Sequence, residues 1–423
     1  MWYILGYWLY AIGVSSYFTL LKIVALFNKR AQLFVNGRKN LIAHITKTLQ
    51  HDYRKSIWFH VASLGEFEQA RPVIEQLKPL YPNHKFIITI FSPSGYEPRK
   101  NDAIADYIFY LPQDSKKNAA QLFQLFNPSM AFWVKYDFWF HYLNILKNNK
   151  IPIFLIAASF NSKQVYFKKY ALFYQKLLGI FDFIFTQNET STKLLNSIQI
   201  NQVETTGDTR FDRVYNALQK TENLPLIEQF KSNNLLLVIG SSYQLEEEML
   251  ANFLKSAPTL SYKLIIAPHF INEERLIEIE KTFPEKTIRY SQANATNIAN
   301  YQSLVIDNIG MLSKIYKYAD ISFVGGGFKE KGLHNILEAA TFGNAIIFGN
   351  EIDYFPEAIS FRENEAAISV QNQQEFNQAF KLLTENIEFR KNIGTKAQLL
   401  ILENVGATKK IIQYISKAYL HLN

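Results

Sequence analysis

The chain has no cysteine in its 423 residues. That removes disulfides, thiolate nucleophiles and cysteine zinc sites, and it leaves a reducing compartment open. The eight histidines are scattered without HxxxH or HxH spacing, and no Asp-rich calcium loop occurs, so no metal site is expected. No G-x-G-x-x-G follows the first strand-like run, which gives a nicotinamide or flavin cofactor little support. Lysine and arginine total 45 against 37 acidic residues, a formal charge of +8, yet no dense basic run occurs. A nucleic-acid tail would concentrate its charge. A membrane surface or an acidic ligand is expected, and nucleic acid is not. Internal repeats, heptad seams and low-complexity segments are absent too.

Long apolar character is present at the start. Residues 1–27 carry one charge, Lys22, and are followed by Asn28-Lys29-Arg30. A spanning helix needs roughly 20 apolar residues, and this segment is close to that, although Gly6, Gly13, Ser15, Ser16 and Lys22 interrupt it. A signal peptide fits less well, because no basic region precedes the apolar stretch and no small-residue cleavage site is clear. The expectation is an anchor helix over 1–28, with Trp2, Tyr3, Trp8 and Tyr10 suited to the interface belt. Lys29, Arg30, Arg38, Lys39 and Lys47 follow it, which puts the remaining protein on the cytoplasmic side of the membrane. Burial in the protein, or a helix lying flat on the membrane, is the alternative.

With 48% hydrophobic residues, the chain exceeds one core and can fill two. Apolar runs at 57–62, 86–91, 131–134, 153–156 and 181–185 alternate with helix-like stretches. A second series follows at 235–239, 264–267, 304–306, 321–324, 345–348 and 366–370. Short, β-branched and aromatic runs of this kind are strands covered on both faces of a parallel sheet. The fold class is α/β: two Rossmann-like, doubly wound domains, 29–215 and 216–423, joined by the polar stretch 214–234, with the last helix free to pack back on the first. Ligand is expected at the carboxyl ends of the strands, in a cleft between the domains.

Phe323-Val-Gly-Gly-Gly-Phe and then Gly332-Leu-His-Asn-Ile-Leu-Glu-Ala-Ala-Thr-Phe-Gly343 join a glycine turn to a helix whose first turns carry His334, Asn335 and Glu338. Glycines admit a ligand to the backbone, and a helix start favours an anion. An ordinary strand-turn-helix connection has the same pattern. Ile57-Trp-Phe-His-Val-Ala62 runs into Ser63-Leu-Gly-Glu66, so Glu66 lies in a strand-to-helix turn that Gly65 would close tightly, with Pro72 kinking the helix or starting its main body. Such a carboxylate is either a helix cap or a general base. Thr206-Gly-Asp-Thr-Arg-Phe-Asp212 offers Arg210 to an anionic leaving group, or a local Arg210–Asp212 pair. Gly240-Ser-Ser242 binds phosphate or caps a helix, and His269, after Ala267-Pro268, contacts a base or phosphate or is structural.

In order, these segments resemble the 3-deoxy-D-manno-octulosonate (Kdo) transferases of lipopolysaccharide synthesis, glycosyltransferases of the GT-B fold. The resemblance covers nearly the whole chain and includes Asn127-Pro128, Thr186-Gln-Asn-Glu189 and Asp307-Asn-Ile-Gly310 besides the motifs above. It implies that Glu66 is the general base removing a proton from a hydroxyl of a lipid A precursor. That oxygen then attacks CMP-Kdo with inversion and without a metal, at the inner membrane. It also implies cytidylate contacts at Pro268, His269, Ile309, Gly310, Met311, Asn335, Ile336, Leu337 and Glu338, with Gly326 and Gly327 letting the donor near the backbone. The family's Glu-x-Glu-Leu-Trp is Lys135-Tyr-Asp-Phe-Trp139 here, so a lysine that can hold an anion replaces a carboxylate. Arg210 replaces a lysine, Pro268 an arginine, Met311 a glutamate and Tyr243 a histidine. A GT-B transferase using a UDP-sugar, and a membrane-tethered two-domain binding protein without catalysis, are the alternatives.

Overall fold

A computed structural model describes residues 2–220, 222–284, 286–328 and 332–422. Its contacts divide the chain into a first unit, Met1–Arg213 with Val405–Asn423, and a second, Val214–Asn404. The division falls inside the helix Thr209–Lys220, and a further helix, Pro225–Lys231, occupies the stretch expected to link the domains.

In the first unit, β1 (Ser56–Val61), β2 (Lys85–Ile90), β3 (Tyr107–Tyr110), β4 (Pro128–Val134), β5 (Ile153–Ala158), β6 (Phe183–Thr186) and β7 (Val203–Thr205) form a seven-stranded sheet in the order β3-β2-β1-β4-β5-β6-β7. Every pair in it is parallel. Each residue of β1, β2, β4 and β5 is buried, because helices cover both faces, and so these strands read as largely apolar runs, interrupted only by Ser56, His60, Lys85, Thr89 and Ser129. The second unit repeats the plan with β8 (Leu235–Ser242), β9 (Tyr262–Pro268), β10 (Thr287–Arg289), β11 (Ser303–Val305), β12 (Ile321–Val324), β13 (Ala345–Gly349) and β14 (Ile368–Val370), ordered β10-β11-β9-β8-β12-β13-β14. In each sheet the direction of winding reverses at one place, between β1 and β4 and between β8 and β12. Crevices form at the carboxyl ends of such strands.

The first helix, α1 (Trp2–Val24), is long and apolar enough to cross a membrane, and almost none of it is buried. One face is nevertheless docked on the first unit. The Tyr10 hydroxyl donates to Asp114 Oδ2 at 2.7 Å and accepts the Phe140 N–H at 3.0 Å. Tyr7 and Tyr10 pack on Phe140 and Phe173, and Phe18 is buried against Phe34 and Phe91. The opposite face leaves Ile4, Trp8, Leu9, Ile12, Leu20 and Ile23 exposed. Burial inside the protein is therefore not its state. Next come α2 (Lys29–Asn36), capped by the Asn28 side chain, and α3 (Leu41–Leu49).

After β1, α4 (Leu64–Leu77) continues through Pro72 without ending. Gly65 lies in its first turn with no positive φ, and an added Cβ would meet nothing nearer than Ser63 Oγ at 4.0 Å. No tight turn at Gly65 is needed.

Candidate functional site

In the first unit the loops after the two strands at the reversal carry the residues of interest. Glu66 follows β1, in the first turn of α4, and its carboxylate accepts the Ala62 N–H from the end of the same strand. Burial pushes this carboxyl up to about 7; the Ala62 hydrogen bond and Lys135 pull against that rise, while Asp137 adds to it. Lys135 follows β4 with a left-handed backbone, φ 60°, which non-glycine residues adopt rarely outside functional or strained turns. Its cation acts on Asp208 as well as on Glu66.

Two carboxylates frame this pair. Asp137 Oδ2 is 3.0 Å from His60 Nε2 and accepts the Trp139 indole N–H at 2.9 Å, while His60 Nδ1 is 3.0 Å from the Thr89 hydroxyl. His60 is fully buried on β1, so the chain Thr89–His60–Asp137 holds one carboxylate beside Glu66. Asp208 follows β7 and receives Arg210 Nη2 at 2.7 Å, Gln187 Nε2 at 3.1 Å and Gln69 Nε2 at 3.2 Å. Burial pushes Asp208 up, but Arg210 and Lys135 outweigh it and hold the carboxyl below its ordinary value. Arg210 therefore pairs with Asp208. Asp212 instead accepts the Gly406 N–H at 2.6 Å and both the N–H and hydroxyl of Thr408 at 2.7 Å, so the expected Arg210–Asp212 alternative does not form.

In the second unit the glycine turn follows β12 at the other reversal, next to the Gly240-Ser-Ser242 end of β8. A Cβ on Gly325 would lie 2.1 Å from Ser241 O, and Gly325 N–H donates to Gly240 O at 2.8 Å. Gly326, at φ +90°, faces Gly332 O equally closely, and its N–H donates to Glu246 Oε1 at 2.8 Å. The glycines thus serve the chain's own close packing, which differs from a turn left open for ligand backbone contacts. Gly240-Ser-Ser242 is similarly occupied, with the Ser242 hydroxyl donating to Glu247 at 2.6 Å.

The helix expected to begin near His334 starts later and is short, Leu337–Thr341. Asn335 Oδ1 accepts the Leu337 N–H at 3.1 Å, a local bond that competes with helix formation, and His334 N–H is taken by Gly325 O. Ile336 and Leu337 are buried, so they can meet a ligand only through the main chain. Asn335 Nδ2 lies 3.2 Å from Glu338 Oε1.

Four rings gather beside this loop. His269 is 4.4 Å from both Phe270 and His334 between ring centres, and Tyr243 is 5.1 Å from His269. The Tyr243 hydroxyl and His334 Nε2 are 3.0 Å apart. Burial and His269 lower the His334 imidazole to about 4, which makes it neutral near pH 7. Phe270 and Ile309 are exposed apolar side chains, at 58% and 93%. Sequence motifs include His269, His334 and Ile309 and mark Tyr243 as the replacement of a family histidine, but give no sign of Phe270; the fold brings these rings together by setting the ends of β8 and β9 side by side.

Residues 35–213 match the family described as 3-deoxy-D-manno-octulosonic-acid transferase (kdotransferase). A protein of Rickettsia prowazekii named 3-deoxy-D-manno-octulosonic acid transferase is 27% identical, over 88% of this chain and 81% of its own length. Its namesake from Haemophilus influenzae is 25% identical, over 87% and 88%. The chain is similar to Kdo transferases over most of its length. It is a glycosyltransferase. Among solved structures, UDP-GlcNAc 2-epimerase of Neisseria meningitidis bound to UDP-GlcNAc aligns over 86% of this chain and all of its own, with a TM-score of 0.60 at 18% identity, a likeness of fold alone. The two doubly wound units of this glycosyltransferase are the GT-B architecture.

The family expectation brings Glu66, Lys135 and Arg210 to one carboxyl-end rim of the first unit. It brings Pro268, His269, Asn335 and Glu338 to the corresponding rim of the second. Ile309, Gly310 and Met311 lie in the loop after β11, with Ile309 and Gly310 exposed and Met311 half-buried. His60 and Asp137 lie within the quoted segments Ile57–Ala62 and Lys135–Trp139 but receive no role there, because a histidine in an apolar strand reads as core until the β4 loop is seen beside it. Among the described residues, no three His, Asp or Glu side chains are grouped so as to hold a metal ion.

Proposed function

We propose that this glycosyltransferase moves Kdo from CMP-Kdo to a hydroxyl of a lipid A precursor, at the cytoplasmic face of the inner membrane, with inversion and without a metal. The observation that carries the reading is Glu66. It is a carboxyl lifted to about 7 by burial, at the reversal point of the first sheet, beside an unsalted lysine. A base poised there is ionised at neutral pH in a large fraction of molecules and still accepts a proton readily. Glu66 takes the proton of the acceptor hydroxyl as its oxygen bonds to the anomeric carbon. The bond from that carbon to the phosphate oxygen breaks, and its electron pair leaves with CMP.

Lys135 makes no ion pair among the described residues, and its cation suits the Kdo carboxylate or the phosphate. Arg210, already held by Asp208, adds oriented positive charge. In the second unit, Tyr243, His269 and Phe270 offer faces on which cytosine can stack. Asn335 and Glu338 suit ribose hydroxyls, Pro268, Ile309, Gly310 and Met311 border the nucleotide, and main-chain groups at Ile336 and Leu337 face it. Gly326 and Gly327 shape this site by packing. The exposed apolar face of α1 supports membrane attachment.

Purified protein incubated with CMP-Kdo and lipid A precursor is expected to give Kdo-bearing product by mass spectrometry. Glu66→Ala is expected to lower kcat by about 10²–10⁴-fold while calorimetric CMP binding is kept. Unchanged turnover would remove Glu66 as base, and tighter binding of UDP than of CMP would overturn the donor.

A further inference from the structure

A buried hydrogen bond ties the strand that leads into Glu66 to the loop that carries Lys135. His60, on β1, has no exposed surface, and its Nε2 is 3.0 Å from Asp137 Oδ2. Two indole donors to Asp137 come instead from its own strand and loop: Trp139 Nε1 donates to Oδ2 at 2.9 Å, and Trp133 Nε1 to the main-chain oxygen at 3.0 Å. The indoles close the loop on itself, and His60 fastens it to β1.

The direction of the His60 bond follows from the protons available. Trp58 Nε1 can only donate, and it donates to Thr89 Oγ1 at 2.9 Å, so that hydroxyl still has its own hydrogen to place. Two acceptors are within reach, His60 Nδ1 at 3.0 Å and Phe59 O at 3.4 Å. The nearer is the imidazole. At the other end a carboxylate oxygen only accepts, and Asp137 Oδ2 already takes the Trp139 N–H, so the ring proton belongs on His60 Nε2. Both ends select the same tautomer. A proton on Nδ1 alone would leave Nε2 and Oδ2 facing each other as two acceptors, which burial penalises.

Place gives this bond its consequence. Asp137 and Lys135 act on the Glu66 carboxyl with opposite signs, and Lys135 acts on Asp208 as well. Lys135 stands two residues before Asp137, in left-handed backbone. One loop therefore carries both charges, and its seat on β1 sets where they lie.

We propose that His60 is a positioning residue for the transfer: held by Trp58 and Thr89 as the tautomer protonated at Nε2, it fastens the Asp137 carboxylate to β1 and thereby sets Lys135 against Glu66. It acts through Asp137 and not on the substrate. The proposal rests on the roles of Glu66 and Lys135 given above.

Nitrogen-15 spectra of the full-length protein in detergent, labelled at histidine and tryptophan, are expected to show His60 protonated at Nε2 and bare at Nδ1. His60→Phe keeps a ring and loses the donor, so it should move the Trp139 indole resonance, which Trp139→Phe assigns. It should also lower kcat by on the order of 10²-fold, with the KM values for CMP-Kdo and lipid A precursor kept within about twofold. His60→Gln, whose amide N–H can take the place of Nε2–H, should restore most of kcat and the indole signal. Thr89→Val leaves the imidazole without its hydroxyl partner and should lower kcat by a smaller factor. Thermal melting checks that each variant is folded.

A His60 ring protonated at Nδ1, alone or together with Nε2, would overturn the assignment. So would folded His60→Phe with unchanged kcat, or a loss of kcat that His60→Gln does not restore, either of which would make His60 a packing residue. No Kdo transfer by wild type, with the ring and indole signals as expected, would keep the clamp and defeat the reaction.

Discussion

Burial that lifts the Glu66 carboxyl to about 7 also weakens the folded state wherever that carboxyl is ionised. Its ordinary value is 4.5, so between 4.5 and about 7 the folded protein keeps a proton that the unfolded chain releases. Stability therefore falls as pH climbs through that window and levels off above it. Glutamine carries no such penalty. Glu66→Gln should melt at a higher temperature than wild type at pH 8 and at the same temperature at pH 4. A variant less stable than wild type at pH 8 would count against desolvation as the cause. The same proton governs rate: kcat/KM of the wild type should rise with pH through about 7, since the ionised form is the base. Lys135 has a related cost, a non-glycine residue in left-handed backbone at the rim where it meets both Glu66 and Asp208.

Among the structural elements, the glycine turn after β12 shows how tightly the second unit is built at its reversal. Gly325→Ala would put a methyl 2.1 Å from a main-chain oxygen, which cannot swing aside as a side chain can. A loss of about 1–3 kcal/mol in urea unfolding is expected, against little change or a gain for Gly65→Ala, where the space is open. This turn also marks where sequence and fold part. The core strands were legible because burial on both faces makes them largely apolar runs, and the motifs fall at their carboxyl ends because parallel winding sends every such loop to one rim. The short strands β3, β7 and β10 were not, since edge position relaxes the apolar demand. His334 and Asn335 carry helical spacing, yet the Asn335 side chain and the Gly325 carbonyl take the N–H groups at the helix start. Asp208 as the partner of Arg210 needed the loop after β7 to be seen folded back on α4.

At the scale of the molecule, the first unit is completed by the end of the chain. The helix Ala407–Tyr419 places Ile411 and Ile415 in the core of the first sheet, sets Tyr414 on Phe183 at 4.0 Å, and has its start bound by Asp212. Its own N-cap, Gly406, has no side chain to offer, so Asp212 serves as a remote cap. Asp212→Ala should cost about 1–2 kcal/mol in denaturant unfolding. An unchanged midpoint would show that the apolar contacts of Ile411 and Ile415 hold the helix without the carboxylate.

The second unit, Val214–Asn404, is thus an insertion within the first. On the ribosome, all of it is synthesised between the two pieces of the sheet core that must join, an interval on the order of 10–40 seconds at ordinary translation rates. During that interval the apolar ground for Ile411 and Ile415 has no cover from its own chain. The second unit can finish folding first although most of the first has already emerged. Stalling translation before residue 405 would leave a bare hydrophobic face, open to chaperones, on the half of the protein that carries Glu66.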